Sequence, residues 1–200
     1  MPINHTKVSA AADDADTSLV RPVDWNATHT LTGTGGLSSG TSFPVSPTTD
    51  DVFYRTDRRL LYFWDGTRWL TTNLYREHLS LGTASQTVAF TVGRLAPWYT
   101  TYDLWMETFH GITNAAATNN GSNYWLFTLR KYQSNFSTNT SLGTIDTSAD
   151  TAATGTLHTT NVNALLVPAT YILVQVEATK IASPGALTGY SFALTYRLVG

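Results

Sequence analysis

The sequence predicts an all-β fold, with an antiparallel β-sandwich of jelly-roll type as its largest part. Three observations carry that expectation. The 200 residues include 35 Thr, a β-branched residue that suits a pleated surface better than a helix. The last two long apolar segments alternate with period two, and no stretch carries a convincing helical period. Charged residues are only 13%, about half the usual share, so hydroxyl and amide groups do the solvating. Apolar residues at 42% are enough for a packed core, which excludes a wholly disordered chain.

The first element, residues 1–50, reads as an extended arm and linker. It has scattered Val and Leu, Trp25 and Phe43 among Gly, Ser, Thr, Asp and Pro, and LTGTGGLSSGTSFPVSPTTD is linker chemistry. Such a segment buries too little to offset its ordering entropy, so something else has to hold it.

Residues 51–73, DVFYRTDRRLLYFWDGTRWLTTN, form the second element, a three-stranded β-meander. Its β-type runs are Val52–Thr56, Leu60–Asp65 and Arg68–Thr72. One turn is built on Asp57 and Arg58, and the other on Asp65-Gly66, a strong hairpin signal. Phe53, Leu61, Phe63, Trp64 and Trp69 are its candidate packing residues. A unit this small needs support from another domain or from symmetry copies.

Residues 74–200 form the third element, the sandwich. Strands are expected at Leu74–Leu81, Thr87–Val92, Thr100–Phe109, Asn123–Tyr132, Ser141–Asp146, Gly155–Thr159, Thr170–Lys180 and Gly189–Leu198. Ile172, Val174, Val176 and Ala178 share one face, and Tyr190, Phe192, Leu194, Tyr196 and Leu198 another. In YWLFTLRKY the core face is Trp125, Phe127 and Leu129. Eight strands in this length fit a sandwich of two sheets.

Composition excludes several functions. A net charge of −2 gives no electrostatic footprint for nucleic acid. No run of 18 apolar residues is present, so membrane insertion is not expected. The opening MPINHTKVSAAADDADTSLV lacks the continuous apolar region of a secretory signal. The absence of cysteine removes disulfides, thiolate nucleophiles and Cys-type metal sites.

The candidate chemistry is sparse. His5, His29, His78, His110 and His158 show no metal-ligand spacing, and surface or core roles account for them. Glu107 alternates with Trp105 and Asp103, so a glycosidase-type carboxylate pair is conceivable, against the plainer reading of solvent-facing strand residues. No nucleophile elbow occurs, and Gly33, Gly35 and Gly36 lack the Rossmann and Walker spacings. Five Asn-x-Ser/Thr sequons, at Asn4, Asn26, Asn120, Asn135 and Asn139, are assigned no glycosylation, because Ser and Thr fill a quarter of all positions. No catalytic residue, cofactor or metal site is expected. The remaining signals are aromatic and cationic. Tyr99, Tyr102 and Trp105 form a candidate glycan platform, with core or interface packing as the competing role. Arg55, Arg58 and Arg68, with Trp64 and Trp69, form a candidate oligomer interface on the meander.

Two segments also carry a resemblance. DTSLVRPVDWNATHTLTG (residues 16–33) resembles a segment that recurs near the N-termini of tailed-bacteriophage virion proteins. DVFYRTDRRLLYFWDGTRWL (residues 51–70) resembles an aromatic hairpin module of the same kinds of protein, where it precedes a variable distal β domain. The resemblance lies within residues 16–70, just over a quarter of the chain, and does not extend to the C-terminal domain. It implies that Arg21, Pro22, Asp24, Trp25, Asn26 and His29 are docking determinants of a virion-attachment arm. It implies structural roles for Arg55, Thr56, Asp57, Asp65, Gly66, Thr67, Arg68 and Trp69.

The function expected is therefore that of a non-enzymatic phage virion structural protein, a head or tail fibre, spike or capsid-decorating protein. Its expected location is the virion, its partners other virion proteins, and its assembly a homotrimer. The alternative is a host-adhesion module that binds surface glycan.

Overall fold

The computed structural model describes residues 2–3, 29–30, 37–82, 87–95, 101–115, 120–150 and 156–200, and the regular elements among them are all strands. Strands β1 (Pro2–Ile3) and β2 (His29–Thr30) form a short antiparallel pair, Pro2 opposite Thr30 and Ile3 opposite His29.

A small sheet follows, made of β3 (Ser38–Gly40), β4 (Val52–Arg55), β5 (Leu60–Trp64) and β6 (Trp69–Thr71) in that spatial order. Strands β4 to β6 are the expected meander. In the β5–β6 turn the backbone N–H groups of Thr67 and Arg68 donate to Asp65 Oδ1, both at 2.7 Å, while Gly66 takes φ 94°. A left-handed residue behind an Asx turn is the geometry that Asp-Gly supplies at little cost. Strand β3 runs parallel to β4, Ser38 opposite Phe53. The small sheet thus draws in residues that the sequence assigns to the linker, and Phe43 comes with them. Its ring stacks on Trp69 at 4.9 Å and meets Tyr62 edge-on at 5.1 Å. Phe53, Tyr62 and Trp69 are buried and Trp64, half-buried, packs against them, whereas Leu61 and Phe63, also expected to pack, are half-buried outside this cluster. Alternation puts Tyr62 on the packed face of β5 and its two neighbours on the other.

The sandwich is built from β7 (Tyr75–Gly82), β8 (Phe90–Leu95), β9 (Leu104–Ala115), β10 (Tyr124–Gln133), β11 (Asn139–Asp146), β12 (Thr156–Leu166), β13 (Tyr171–Ile181) and β14 (Leu187–Leu198). One sheet has the order β12-β9-β14-β7 and the other β11-β10-β13-β8. The antiparallel pairs β7–β14, β8–β13, β9–β12 and β10–β11 nest inside one another, and the chain changes sheet at every connection except the β10–β11 hairpin. That nesting is the jelly roll, as the sequence predicts. Trp125, Phe127 and Leu129 of β10 are fully buried against Phe109 of β9 and Phe192 and Leu194 of β14. Phe192 meets Phe127 at 4.8 Å and Phe109 at 5.7 Å, which locks the two sheets face to face.

The finer expectations shift: the strand expected at Thr87–Val92 lies at Phe90–Leu95, and the one expected to end at Phe109 continues to Ala115. The strand expected at Gly155–Thr159 continues to Leu166. The one expected from Thr100 begins at Leu104, so Tyr102 lies in the preceding bend and Asp103 just outside the strand. Pairing of β9 with both neighbours skips Glu107, which makes it a bulged residue rather than a member of a simple alternation.

Candidate functional site

Of the expected interface residues of the meander, Arg58, Arg68 and Trp69 reach, within the one chain, the end of the jelly roll where β9 begins and β14 ends, whereas Arg55 and Trp64 pack inside the small sheet. The Arg68 guanidinium lies 3.7 Å from the centre of the Trp105 ring, and that of Arg58 lies 5.0 Å from the Tyr102 ring. Arg68 Nε is buried without a hydrogen bond, although Asp65 Oδ2 stands 3.4 Å away. The ring contact is the stronger of the two, because the carboxylate lies too far for a well-formed bond and the stacked ring is close. Arg58 Nη1 also approaches Tyr62 Oη at 3.4 Å. Trp64 packs on Trp69 at 5.6 Å. Arg55 makes a two-pronged pair with Asp57, Nε to Oδ1 at 2.9 Å and Nη2 to Oδ2 at 2.8 Å, and lies over Phe43. That bond holds the Asp57 carboxyl below its usual range and raises Arg55.

The clamp that the sequence analysis missed is Arg197. Its Nη1 donates to the carbonyls of Thr71 and Thr72 at 2.8 and 2.6 Å, and its Nε donates to Glu107 Oε1 at 2.5 Å. Beside it Leu198 N donates to Thr71 Oγ1, Leu70 bridges to Val199, and Gly200 N donates to Trp69 O. The signal that could have found it is a single Arg in a strand that otherwise alternates between apolar and small uncharged residues.

Glu107 is thereby committed to a structural ion pair, and the conceivable partner Asp103 gives its backbone carbonyl to Val199 N. A second cluster unites Thr113, Asp150 and His158. Asp150 Oδ2 lies 3.1 Å from His158 Nε2, and Thr113 Oγ1 lies 3.2 Å from that same oxygen and 3.4 Å from that same nitrogen. A nucleophile–base–acid relay needs the carboxylate and the hydroxyl on opposite ring nitrogens. Both groups meet Nε2 here, so the cluster has the geometry of a pin that holds the residues after β11 against β9 and β12.

Of the expected docking arm, Arg21, Pro22, Asp24, Trp25 and Asn26 lie outside the described residues, and His29 is placed through its backbone in β2. Tyr99, the first ring of the expected glycan platform, also lies outside them. The other two, Tyr102 and Trp105, each have a guanidinium over the ring, and Trp105 is half-buried.

Fold and junction together define an eight-stranded jelly roll with a small aromatic sheet clamped to one end. No family model and no curated protein matches the chain. Among solved structures it is similar to the VP2 subviral particle of infectious bursal disease virus, at 12% identity and a TM-score of 0.42 over 80% of this chain. It spans 41% of that VP2 chain. It is also similar to the xylan-binding module CBM15, with 18% identity, a TM-score of 0.34, and 75% and 84% of the two chains covered. A third likeness is to the Bacillus endospore appendages, with 15% identity, a TM-score of 0.29, and 64% and 90% covered.

Proposed function

We propose that this chain is a non-enzymatic structural protein of a bacteriophage virion, a fibre, spike or capsid-decorating protein that assembles as a homotrimer and is attached through residues 1–36. The observation that carries the reading is the clamped junction. The residues shared with the phage-like hairpin module are spent on two tasks: Asp65, Gly66 and Thr67 build the turn, while Arg68 and Trp69 fasten the small sheet to the jelly roll. The segment that leads out of the arm is paired into the same sheet through β3. The small sheet and the jelly roll, joined in this way, form one load-bearing unit, which suits a particle component.

The test is a truncation that spares β3. Deletion of residues 1–36 is expected to leave far-ultraviolet circular dichroism and melting temperature unchanged and to abolish incorporation into particles. Incorporation at normal copy number by the truncated chain sinks the attachment reading. Trp25→Ala in the full chain is expected to weaken docking by about 2–4 kcal/mol, the cost of emptying an aromatic anchor pocket.

A further inference from the structure

The outer face of the β12-β9-β14-β7 sheet carries a second feature, remote from the clamp in kind. The strand register places side chains there in rows. His78, Ala193, His110 and Thr159 face one another across the four strands, and Arg76, Thr195, Thr108 and Asn161 make the next row. Ser191, Ile112 and Leu157 line the row on the other side. Neighbouring strands are about 4.8 Å apart, so the two histidine backbones stand about 10 Å apart with only the Ala193 methyl group between them. The outcome is a shallow recess with Ala193 and the Gly111 backbone as its floor, the imidazoles as walls, Arg76 at one end and Ile112 and Leu157 at the other.

The electrostatics of this recess are one-sided. Among the described residues Arg76 and His78 have no ion-pair or hydrogen-bond partner, and Glu107, the carboxylate further along β9, belongs to Arg197. His110 is fixed in place, with Nε2 2.7 Å from Thr108 Oγ1 and Nδ1 3.1 Å from Thr159 Oγ1, while Thr108 also meets the Thr195 hydroxyl. Burial and the facing Arg76 charge both hold His110 below its ordinary range, so the site favours a neutral imidazole until an anion arrives. Arg76 and His78, both from β7, are the charged or titratable groups that face it. β12 and β14 present Thr159, Leu157, Ala193 and Thr195. At the apolar end, Ile112 is 48% and Leu157 67% exposed, so two large hydrophobic side chains stand in solvent across the recess from two donors that are unpaired among the described residues.

We infer that this recess binds an acidic saccharide, its carboxylate against Arg76 and His78 and its C–H face against Ile112 and Leu157. An open recess with donors at one end, an apolar surface at the other and a hydroxyl-lined rim matches a uronic-acid unit at the end or edge of a glycan chain. The inference goes beyond the attachment role and does not depend on it, because it concerns the distal domain alone.

The test uses the full-length protein in solution, titrated with D-glucuronate, D-glucose and inorganic phosphate while the histidine ring protons are followed by NMR. Glucuronate is expected to bind in the millimolar range, to shift the His78 and His110 signals, and to raise the pH at which His110 protonates by offsetting the Arg76 charge. Arg76→Ala and His78→Ala are each expected to weaken glucuronate about tenfold, as loss of a charge-assisted bond does. Leu157→Asp should abolish binding. Arg59→Ala, an exposed Arg in the β4–β5 turn, should leave it unchanged. Equal affinity for glucuronate and phosphate reduces the recess to a bare anion site and overturns the proposal. So does equal affinity for glucuronate and glucose, indifference to Arg76→Ala, or no binding at all. Incorporation into particles is expected to be unaffected by these substitutions, so failure here and failure of the attachment reading are told apart.

Discussion

Arg197 joins three parts of the molecule with one guanidinium: the end of β6, the bulge of β9 and its own strand β14. Two carbonyls accept hydrogen bonds and one carboxylate is paired there in a partly dehydrated setting, where each unmade bond costs more than it would in water. Arg197→Met keeps most of the aliphatic stem but strands Glu107 and the Thr71 and Thr72 carbonyls. We expect a loss of about 2–4 kcal/mol, read as a lower midpoint in chemical denaturation. Glu107→Gln keeps an acceptor for Nε and should cost clearly less. Equal midpoints for Arg197→Met and the parent would mean that the small sheet is held by its apolar contacts alone. The bulge at Glu107 had no sequence signal, because neither Gly nor Pro marks it, and only the pairing with β12 and β14 reveals the skipped residue.

At the scale of the element, the small sheet shows which features local chemistry encodes and which it does not. The Asp65-Gly66 turn was legible because its conformation depends on residues within the turn itself. Gly66→Ala should cost about 1 kcal/mol, the penalty for a Cβ at positive φ. The parallel strand β3 was not legible. Ser38, Ser39 and Gly40 read as linker, and they become a strand only because β4 offers a free edge. The part of that segment that the packing demands is Phe43, whose ring meets Phe53, Tyr62 and Trp69. Phe43→Ala is therefore expected to destabilise the small sheet by about 2–3 kcal/mol, less than a fully buried Phe would. A shift in hydrogen exchange confined to β3–β6, with the jelly roll unchanged, would show that loss. An unchanged exchange pattern would leave β3 a passive passenger.

At the scale of the whole molecule, alternation revealed the eight strands and most of the core but not their spatial order. A period of two marks which face of a strand is buried and is silent on which strand lies beside it, so the nesting of four antiparallel pairs emerges only from the pairing itself. That order also divides the sandwich into two unlike flanks. β7 and β8, the edge strands on one side, carry Arg76, Glu77 and Arg94 in their sequences, whereas β11 and β12 on the other carry one formal charge, Asp146. Thr160 Oγ1 donates to the Thr144 carbonyl and stitches these two edges together. Edge strands usually bear charge or Pro to block unwanted pairing, and this 11-residue β12 has neither. In a closed three-fold ring each contact joins unlike surfaces, so this flank has to supply only one half of it. We expect the protein to sediment as a trimer at micromolar concentration. Asn161→Lys together with Ser141→Lys, both at exposed edge positions, should convert it to a monomer with an unchanged circular dichroism spectrum. A trimer that survives both substitutions would place the subunit contact elsewhere, and a monomeric parent would remove the trimer altogether.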